Sequence, residues 1–282
     1  MFLMFLLEKK SCIVYAKIVA DAWRRLQRGD DVYPPEHEEK ISSTLDRAMQ
    51  ASIREIQQQQ QHRGILPPSK RTFRILEVGI GDHCRTIQRG LYNQAFINLE
   101  TYASSPFLDS IDIIGLDIQS PTPQVLQSVY TKLARNKQPF PITFQFIQGD
   151  ISNNTQLPFP EGYFDMIVCI LVLCSVVDPS TALAQIKHLL RPDGGTFAYV
   201  EHVAVNSQYP SDIGHEFLEW QQQVLDPLQQ TLAHNCHLHR YTDDTITHEL
   251  DQGKVLWYDR FFVDDMWPVS CQCCGVIQRI AM

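Results

Sequence analysis

The chain has 282 residues, enough for one large domain or two small ones. Its 44% hydrophobic and 20% charged content fits a soluble globular protein with a proper core, and nothing in its net charge of −8 suggests a polyanion such as nucleic acid as the main partner. Eight scattered cysteines with no cleavable signal sequence ahead of them predict free thiols in a reducing compartment, not a disulfide framework.

Met1 to Leu7 is almost wholly apolar and is followed by Glu8-Lys9-Lys10. The run is far shorter than the roughly 20 apolar residues that span a bilayer. Its charges follow the apolar part, the reverse of a secretory signal. A second apolar run, Cys12 to Ala22, leads into Trp23-Arg24-Arg25. Two readings stand: a terminal helix packed on the domain, or a weak membrane-surface anchor with an aromatic and basic rim. The expected location is the cytoplasm, peripheral on an intracellular membrane under the second reading. Pro34-Pro35 breaks the chain. Ile41, Leu45, Met49, Ile53 and Ile56 then recur at helical spacing and predict a helix over Glu38 to Gln61. Gly64 to Lys70, with Pro67-Pro68, reads as a linker, so residues 1–70 form a helical extension and linker ahead of a main domain over 71–282.

That domain opens on Arg74 to Val78, a short buried strand, followed by Gly79 and Gly81 and a helical stretch over Arg85 to Tyr102. Two glycines directly after a strand let the backbone turn sharply and approach a ligand, because no Cβ intervenes. Strand, glycine turn and helix form the opening unit of a nucleotide-binding α/β fold. Ile111 to Ile118 is a second buried strand carrying Asp117 at its end, where a carboxylate accepts hydrogen bonds from both hydroxyls of a ribose. Pro123 to Arg135 is a helix, and Ile142 to Ile147 a strand ending in Gly149-Asp150-Ile151. Asp150 in that place is also what a turn or helix cap favours. The apolar run Tyr163 to Cys174, including Leu171, predicts a central strand buried on both faces. Asp178 to Leu190 is a helix stopped by Arg191-Pro192-Asp193-Gly194-Gly195, and Thr196 to Glu201 a fifth strand.

Glu77-x-Gly79-x-Gly81, the acids Asp117 and Asp150 at successive strand ends, and Leu190-Arg191-Pro192-x-Gly194-Gly195 together resemble the class I S-adenosylmethionine-dependent methyltransferases. The family pattern carries a third glycine where this chain has His83. The resemblance implies an α/β, Rossmann-like seven-stranded sheet with helices on both faces, here with the N-terminal helical extension, and S-adenosyl-L-methionine as cofactor. It implies that Glu77 lies near the amino-acid part of the cofactor, that Gly79 and Gly81 pass beneath it, and that Asp150 bonds the adenine amino group while Ile151 packs on the ring. Leu171 is counted with the cofactor-binding positions. Val172-Leu173-Cys174-Ser175-Val176, Glu201-His202-Val203-Ala204, Trp220-Gln221-Gln222-Gln223-Val224-Leu225-Asp226-Pro227 and Asn235-Cys236-His237-Leu238-His239-Arg240 resemble the methyltransferase-like thiol S-methyltransferases, membrane-associated enzymes that methylate small thiols, and narrow the match to them. That likeness spans Arg74 to Met282. It implies two last strands, here Val255 to Val263 and Gln272 to Ile280, with the seventh inserted antiparallel.

The expected reaction is transfer of a methyl group to a small, largely apolar acceptor such as a thiol. An in-line displacement draws much of its rate from alignment, and a thiolate acceptor is already nucleophilic. His202 is the candidate base, its ordinary pKa lying near working pH. Phe217, Leu218, Trp220, Val224 and Leu225 are read as the apolar lining of a helical cover over Val203 to Arg240. No metal is expected. His234, Cys236, His237 and His239, like Cys271, Cys273 and Cys274, lack the paired spacing of a zinc site. Two other readings are a nicotinamide-dependent oxidoreductase, which the missing Gly-x-Gly-x-x-Gly fingerprint opposes, and a non-catalytic methyltransferase-like binding protein, which His83 leaves open. The sequence is silent on oligomeric state.

Overall fold

The computed structural model describes residues 33–62, 70–102, 108–135, 140–153 and 157–280, with Ile13, Val14 and Lys17. The apolar runs at the amino terminus therefore lie almost entirely outside the described residues. Among those described, no helix is long and apolar enough to cross a membrane.

Seven strands make one sheet: β1 Arg71–Val78, β2 Leu108–Asp117, β3 Ile142–Gln148, β4 Met166–Ile170, β5 Thr196–His202, β6 Lys254–Phe262 and β7 Cys271–Gln278. Their order is β3-β2-β1-β4-β5-β7-β6. The first five run parallel, while β7 lies antiparallel between β5 and β6, as the resemblance implies. The order reverses between β1 and β4, so their carboxyl ends diverge at the place where α/β sheets bind ligands.

Alternation along the strands divides the core in two. Phe73, Ile75, Met166, Val168, Ala198 and Val200 face one layer; Leu76, Val78, Ile167, Cys169, Phe197 and Tyr199 face the other. The first layer contains helices α1 Pro35–His62, α2 Arg85–Gln88, α3 Asn93–Tyr102 and α4 Pro123–Ala134; the second contains α5 Pro179–Leu189 and α7 Thr242–Glu249. Between them in sequence is α6 Glu216–Leu232.

Helix α1 begins at the predicted break, with Pro35 as its first residue, where a missing N–H costs nothing. All five residues of its predicted stripe are buried. Polar pins fix it to the sheet: His37 Nδ1 to Gln272 Oε1 at 2.7 Å, Ser52 Oγ donating to the Asp165 carbonyl at 3.0 Å, and Thr196 Oγ1 donating to the Ala48 carbonyl at 3.1 Å. The extension is thus a layer of the domain's own core.

Two predicted elements are shorter than the sequence suggests. The helical stretch over Arg85 to Tyr102 is split into α2 and α3 at Gly90, whose φ of +70° is left-handed. The Leu91 N–H donates to the Thr86 carbonyl at 2.9 Å, the closing bond of a glycine-terminated helix. The run Tyr163 to Cys174 is strand only over Met166–Ile170; Leu171, at φ +55°, turns the chain out of the sheet.

Candidate functional site

The loop after β1 is held by its neighbour strand. Gly79 N–H donates to the Leu116 carbonyl at 2.7 Å, and Gly81 N–H to Asp117 Oδ2 at 2.8 Å. Asp117 Oδ1 accepts the Gln119 N–H at 2.9 Å. Both glycines have left-handed φ, +67° and +75°. A Cβ on Gly79 would meet Val172 Cγ2 at 2.3 Å, whereas one on Gly81 would find nothing within 4 Å. One glycine makes room for the protein; the other faces open space.

Glu77 is 2% exposed. Thr86 Oγ1 donates to its Oε1 at 2.6 Å and the Tyr92 hydroxyl to its Oε2 at 2.9 Å. Burial pushes its pKa up to about 7, outweighing those two bonds, which favour the charged form. Glu77, Gly79, Gly81 and Leu171 line one recess of about 150 Å³, with Tyr33 and Arg85 also on its wall. A larger hollow of about 740 Å³ lies against α2, α3 and α4, and no strand residue lines it. The smaller recess is the better candidate, because it sits at the strand ends and gathers four of the predicted positions.

Of the other three predicted cofactor positions, Asp117 holds the loop as described, and Asp150 and Ile151 lie farther along the same edge. Gly149 N–H donates to the Asp117 carbonyl at 2.9 Å, which ties the end of β3 to that of β2. Asp150 Oδ1 accepts both the N–H and the hydroxyl of Ser152, at 2.8 and 2.7 Å, forming a turn. Ile151 is 3% exposed and packs in the same core layer as Leu116 and Leu157, so here it is a core residue.

Beyond β4 and β5 a second cluster assembles. Glu201 Oε1 accepts the N–H groups of Val172 and Leu173 at 3.0 and 3.1 Å. Arg240 Nη1 donates to the Leu173 and Val176 carbonyls, each at 2.8 Å. Asn235 Nδ2 donates to the Ser175 carbonyl at 3.0 Å, and His237 N–H to the Cys174 carbonyl at 2.9 Å. Two motifs far apart in sequence, Leu173 to Val176 and Asn235 to Arg240, thus form one clamp.

The predicted base, His202, is buried within that clamp and is not open to solvent. Its Nε2 lies 3.0 Å from Cys236 Sγ, which lies 3.8 Å from Cys174 Sγ. The contact with the Cys174 thiol lowers the Cys236 pKa against the opposing effect of burial. Burial lowers the His202 pKa, but the neighbouring Cys236 outweighs it and the net shift is upward.

The cover is less closed than its sequence suggests. Leu225 is buried against Leu238, and Leu218 packs on the sheet, but Phe217 is 66% exposed and stacks on Trp220 at a centroid distance of 5.5 Å. What seats α6 is Gln222, which is buried: its Oε1 accepts the Val205 N–H at 2.7 Å, and its Nε2 donates to the carbonyls of Val203 and Pro268. Glu201, Cys236 and Arg240 are site residues that sequence reasoning did not single out by role. The cysteines of β7 do not converge: Cys271 and Cys273 face one core layer and Cys274 the other.

Residues 101–198 match a family model described as a methyltransferase domain. A thiol S-methyltransferase TMT1B of Rattus norvegicus is 36% identical over 98 residues, 35% of this chain and 36% of that protein. Thiol S-methyltransferase TMT1A of Homo sapiens is 40% identical over 83 residues, 28% of this chain and 30% of that one. The matched region spans about a third of the length of these curated relatives. Among solved structures, a SAM-dependent methyltransferase of Methanosarcina mazei aligns over 78% of this chain and 97% of its own, with a TM-score of 0.46 and 16% identity.

Proposed function

We propose that this chain, which carries a methyltransferase domain on a class I methyltransferase sheet, is an S-adenosyl-L-methionine-dependent methyltransferase acting on a small, largely apolar acceptor, a thiol first among them. The observation that carries the reading is the bond between Gly81 and Asp117, which joins a bare-backbone turn to a strand-end carboxylate beside a recess holding Glu77.

The residues present fit the cofactor. Gly81 leaves open space where a side chain would stand. Glu77 supplies a carboxylate for an ammonium group, Asp117 one for ribose hydroxyls, and Asp150 one for an adenine amino group. When bound, the cofactor supplies an electrophilic methyl on a sulfonium. The chain's task is then to align the acceptor with it and handle the acceptor's proton. In this reading Leu173, His202 and the clamp around them form the acceptor side, and His202, in contact with Cys236, is the group assigned to the proton. The relatives named as thiol S-methyltransferases support a thiol over an oxygen or nitrogen acceptor. The acidic balance of the sequence, a net charge of −8, argues for a small molecule over a nucleic acid as the acceptor.

The test is to incubate the protein with S-adenosylmethionine and an aliphatic thiol or its alcohol counterpart, and to follow demethylated cofactor and methylated product by mass spectrometry. Thiol methylation is expected. Turnover of the alcohol alone would overturn the acceptor. Binding of a nicotinamide cofactor in place of S-adenosylmethionine would overturn the reaction class, and binding without turnover on any acceptor would leave a binding protein.

A further inference from the structure

We propose that Cys174, His202 and Cys236 form a three-ligand zinc site whose fourth position receives the acceptor thiol; the second half of this statement rests on the function proposed above. The three residues come from separate segments: the loop after β4, the last position of β5, and the loop between α6 and α7. Their ligand atoms, two sulfurs and one imidazole nitrogen, all lie within 4.8 Å of one another. All three residues are buried, at 1%, 2% and 8% exposure for Cys174, His202 and Cys236.

The spacing suits a tetrahedral ion. Zinc bound at about 2.3 Å to sulfur and about 2.0 Å to nitrogen places two sulfurs about 3.8 Å apart and sulfur about 3.5 Å from nitrogen. The Cys174 and Cys236 sulfurs are 3.8 Å apart, and Cys236 Sγ is 3.0 Å from His202 Nε2, a contact that must open by about 0.5 Å, while the third pair, Cys174 and His202, lies within 4.8 Å and must settle at about 3.5 Å with the ion bound. Two thiolates and an imidazole with no carboxylate among them are a soft donor set, which selects zinc over magnesium or calcium. The loops bearing the cysteines are already locked to each other. His237 N–H bonds the carbonyl of Cys174 itself, and Asn235 and Arg240 bond the residues on either side of it. A rigid surround of this kind orients ligands ahead of the metal.

Three protein ligands are the count of a catalytic zinc, which keeps one position for water or substrate. The site also adjoins the loop that borders the recess proposed for the cofactor. Cys174 lies two residues beyond Val172, whose side chain crowds Gly79, and His202 follows Glu201, which holds the Val172 and Leu173 N–H groups. In the balanced step, zinc-bound hydroxide takes the proton of R–SH and leaves as water, and R–S⁻ takes its place on the ion. The sulfur then attacks the cofactor's methyl group, its bond to the sulfonium breaks, and neutral demethylated cofactor and the thioether R–S–CH3 remain. A thioether is a poor zinc ligand, so water displaces it and loses a proton to solvent, which restores the hydroxide. His202 is then a ligand, and the hydroxide rather than the imidazole accepts the proton.

The experiment uses the whole chain, measured for metal as purified and after removal of metal by a chelator and titration with cobalt(II). One zinc per chain is expected. Cobalt should give sulfur-to-metal charge-transfer absorption with tetrahedral visible bands, and an aliphatic thiol should perturb those bands. Cys174→Ser and Cys236→Ser should each weaken metal binding by about tenfold or more. Binding of S-adenosylmethionine serves as their folding control; if a variant fails it, the wild-type cobalt spectrum decides. Absence of bound zinc together with no cobalt–sulfur absorption would overturn the site, as would zinc retained in full by both folded variants. Bands that ignore the thiol would overturn its place at the fourth position. Methyl transfer to thiols that chelation leaves unchanged would overturn the metal's role and leave the proposed function standing, whereas zinc held as expected without methyl transfer would do the reverse.

Discussion

A Cβ built on Gly79 would lie 2.3 Å from Val172 Cγ2, so the turn after β1 and the turn after β4 interlock at a glycine. Gly79→Ala meets two penalties, a left-handed φ of +67° and a steric conflict with the loop that leads to Cys174. Gly81→Ala meets only the first, about 1–2 kcal/mol. Gly79→Ala is therefore expected to lose more stability than Gly81→Ala by urea denaturation. Gly81→Ala, which intrudes on the open space, is expected to weaken S-adenosylmethionine in calorimetry even where the fold holds. Equal loss of stability in the two variants would contradict the interlock.

Asp117 has two partners already, the N–H groups of Gly81 and Gln119. Its proposed ribose bonds would add to these. Asp117→Ala is expected to weaken S-adenosylmethionine by about 1.5–3 kcal/mol, the range for a hydrogen bond to a charged group. Asp117→Asn keeps one oxygen acceptor and should lose less. Calorimetry on the three proteins checks the ranking, and equal affinities would remove Asp117 from the site.

Much of this edge was legible because it is built from local rules. The apolar strand β1, the alternate glycines and an acid closing β2 each obey a constraint that acts over a few residues. Gly90 was equally visible as a helix stop and went unread, because the apolar pattern resumes at Leu91 and hides the break. The Cys174–His202–Cys236 cluster was not legible as a cluster. Its members lie 34 and 62 positions apart, and their convergence depends on how β4, β5 and the later loop are placed by the sheet. Glu201 reads as a strand end in sequence; only the structure turns its carboxylate onto the N–H groups of the neighbouring loop. Phe217 shows the opposite failure: its apolar character suggested a pocket wall, and its place on α6 turns it outward.

Glu77 makes stability and cofactor binding depend on pH in opposite directions. Its folded pKa is raised by burial from 4.5 to about 7. A carboxyl raised in this way stabilises the fold fully below its unfolded pKa, and that contribution is lost as pH rises through about 7. The contribution at stake is at most about 3 kcal/mol for a shift of this size. Wild type should therefore lose stability relative to Glu77→Gln between pH 4.5 and pH 7, in paired urea melts. Over the same range its affinity for S-adenosylmethionine should rise, because ionised Glu77 attracts the cofactor's ammonium group. A pH-independent difference between the two proteins would show that Glu77 does not titrate in this window.

Arg240 tests whether the acceptor side can be loosened without touching the cofactor side. Its Nη1 holds the carbonyls of both Leu173 and Val176, each at 2.8 Å, and so fixes the loop that carries Cys174. Removing the guanidinium leaves two carbonyls without their charged donor, at a cost of about 1.5–3 kcal/mol of stability. Lysine has a single ammonium on a flexible stem and cannot reproduce the planar fork. Arg240→Ala and Arg240→Lys are both expected to retain S-adenosylmethionine affinity, since Gly79, Gly81, Asp117 and Glu77 are tied by other bonds. Turnover should fall in both, more in the alanine variant, because the loop no longer presents the acceptor in line with the methyl group. Steady-state kinetics beside cofactor calorimetry separates the two effects. Loss of cofactor affinity in step with turnover would mean that the clamp serves the whole strand-end surface, and unchanged turnover in Arg240→Ala would remove the clamp from the acceptor side.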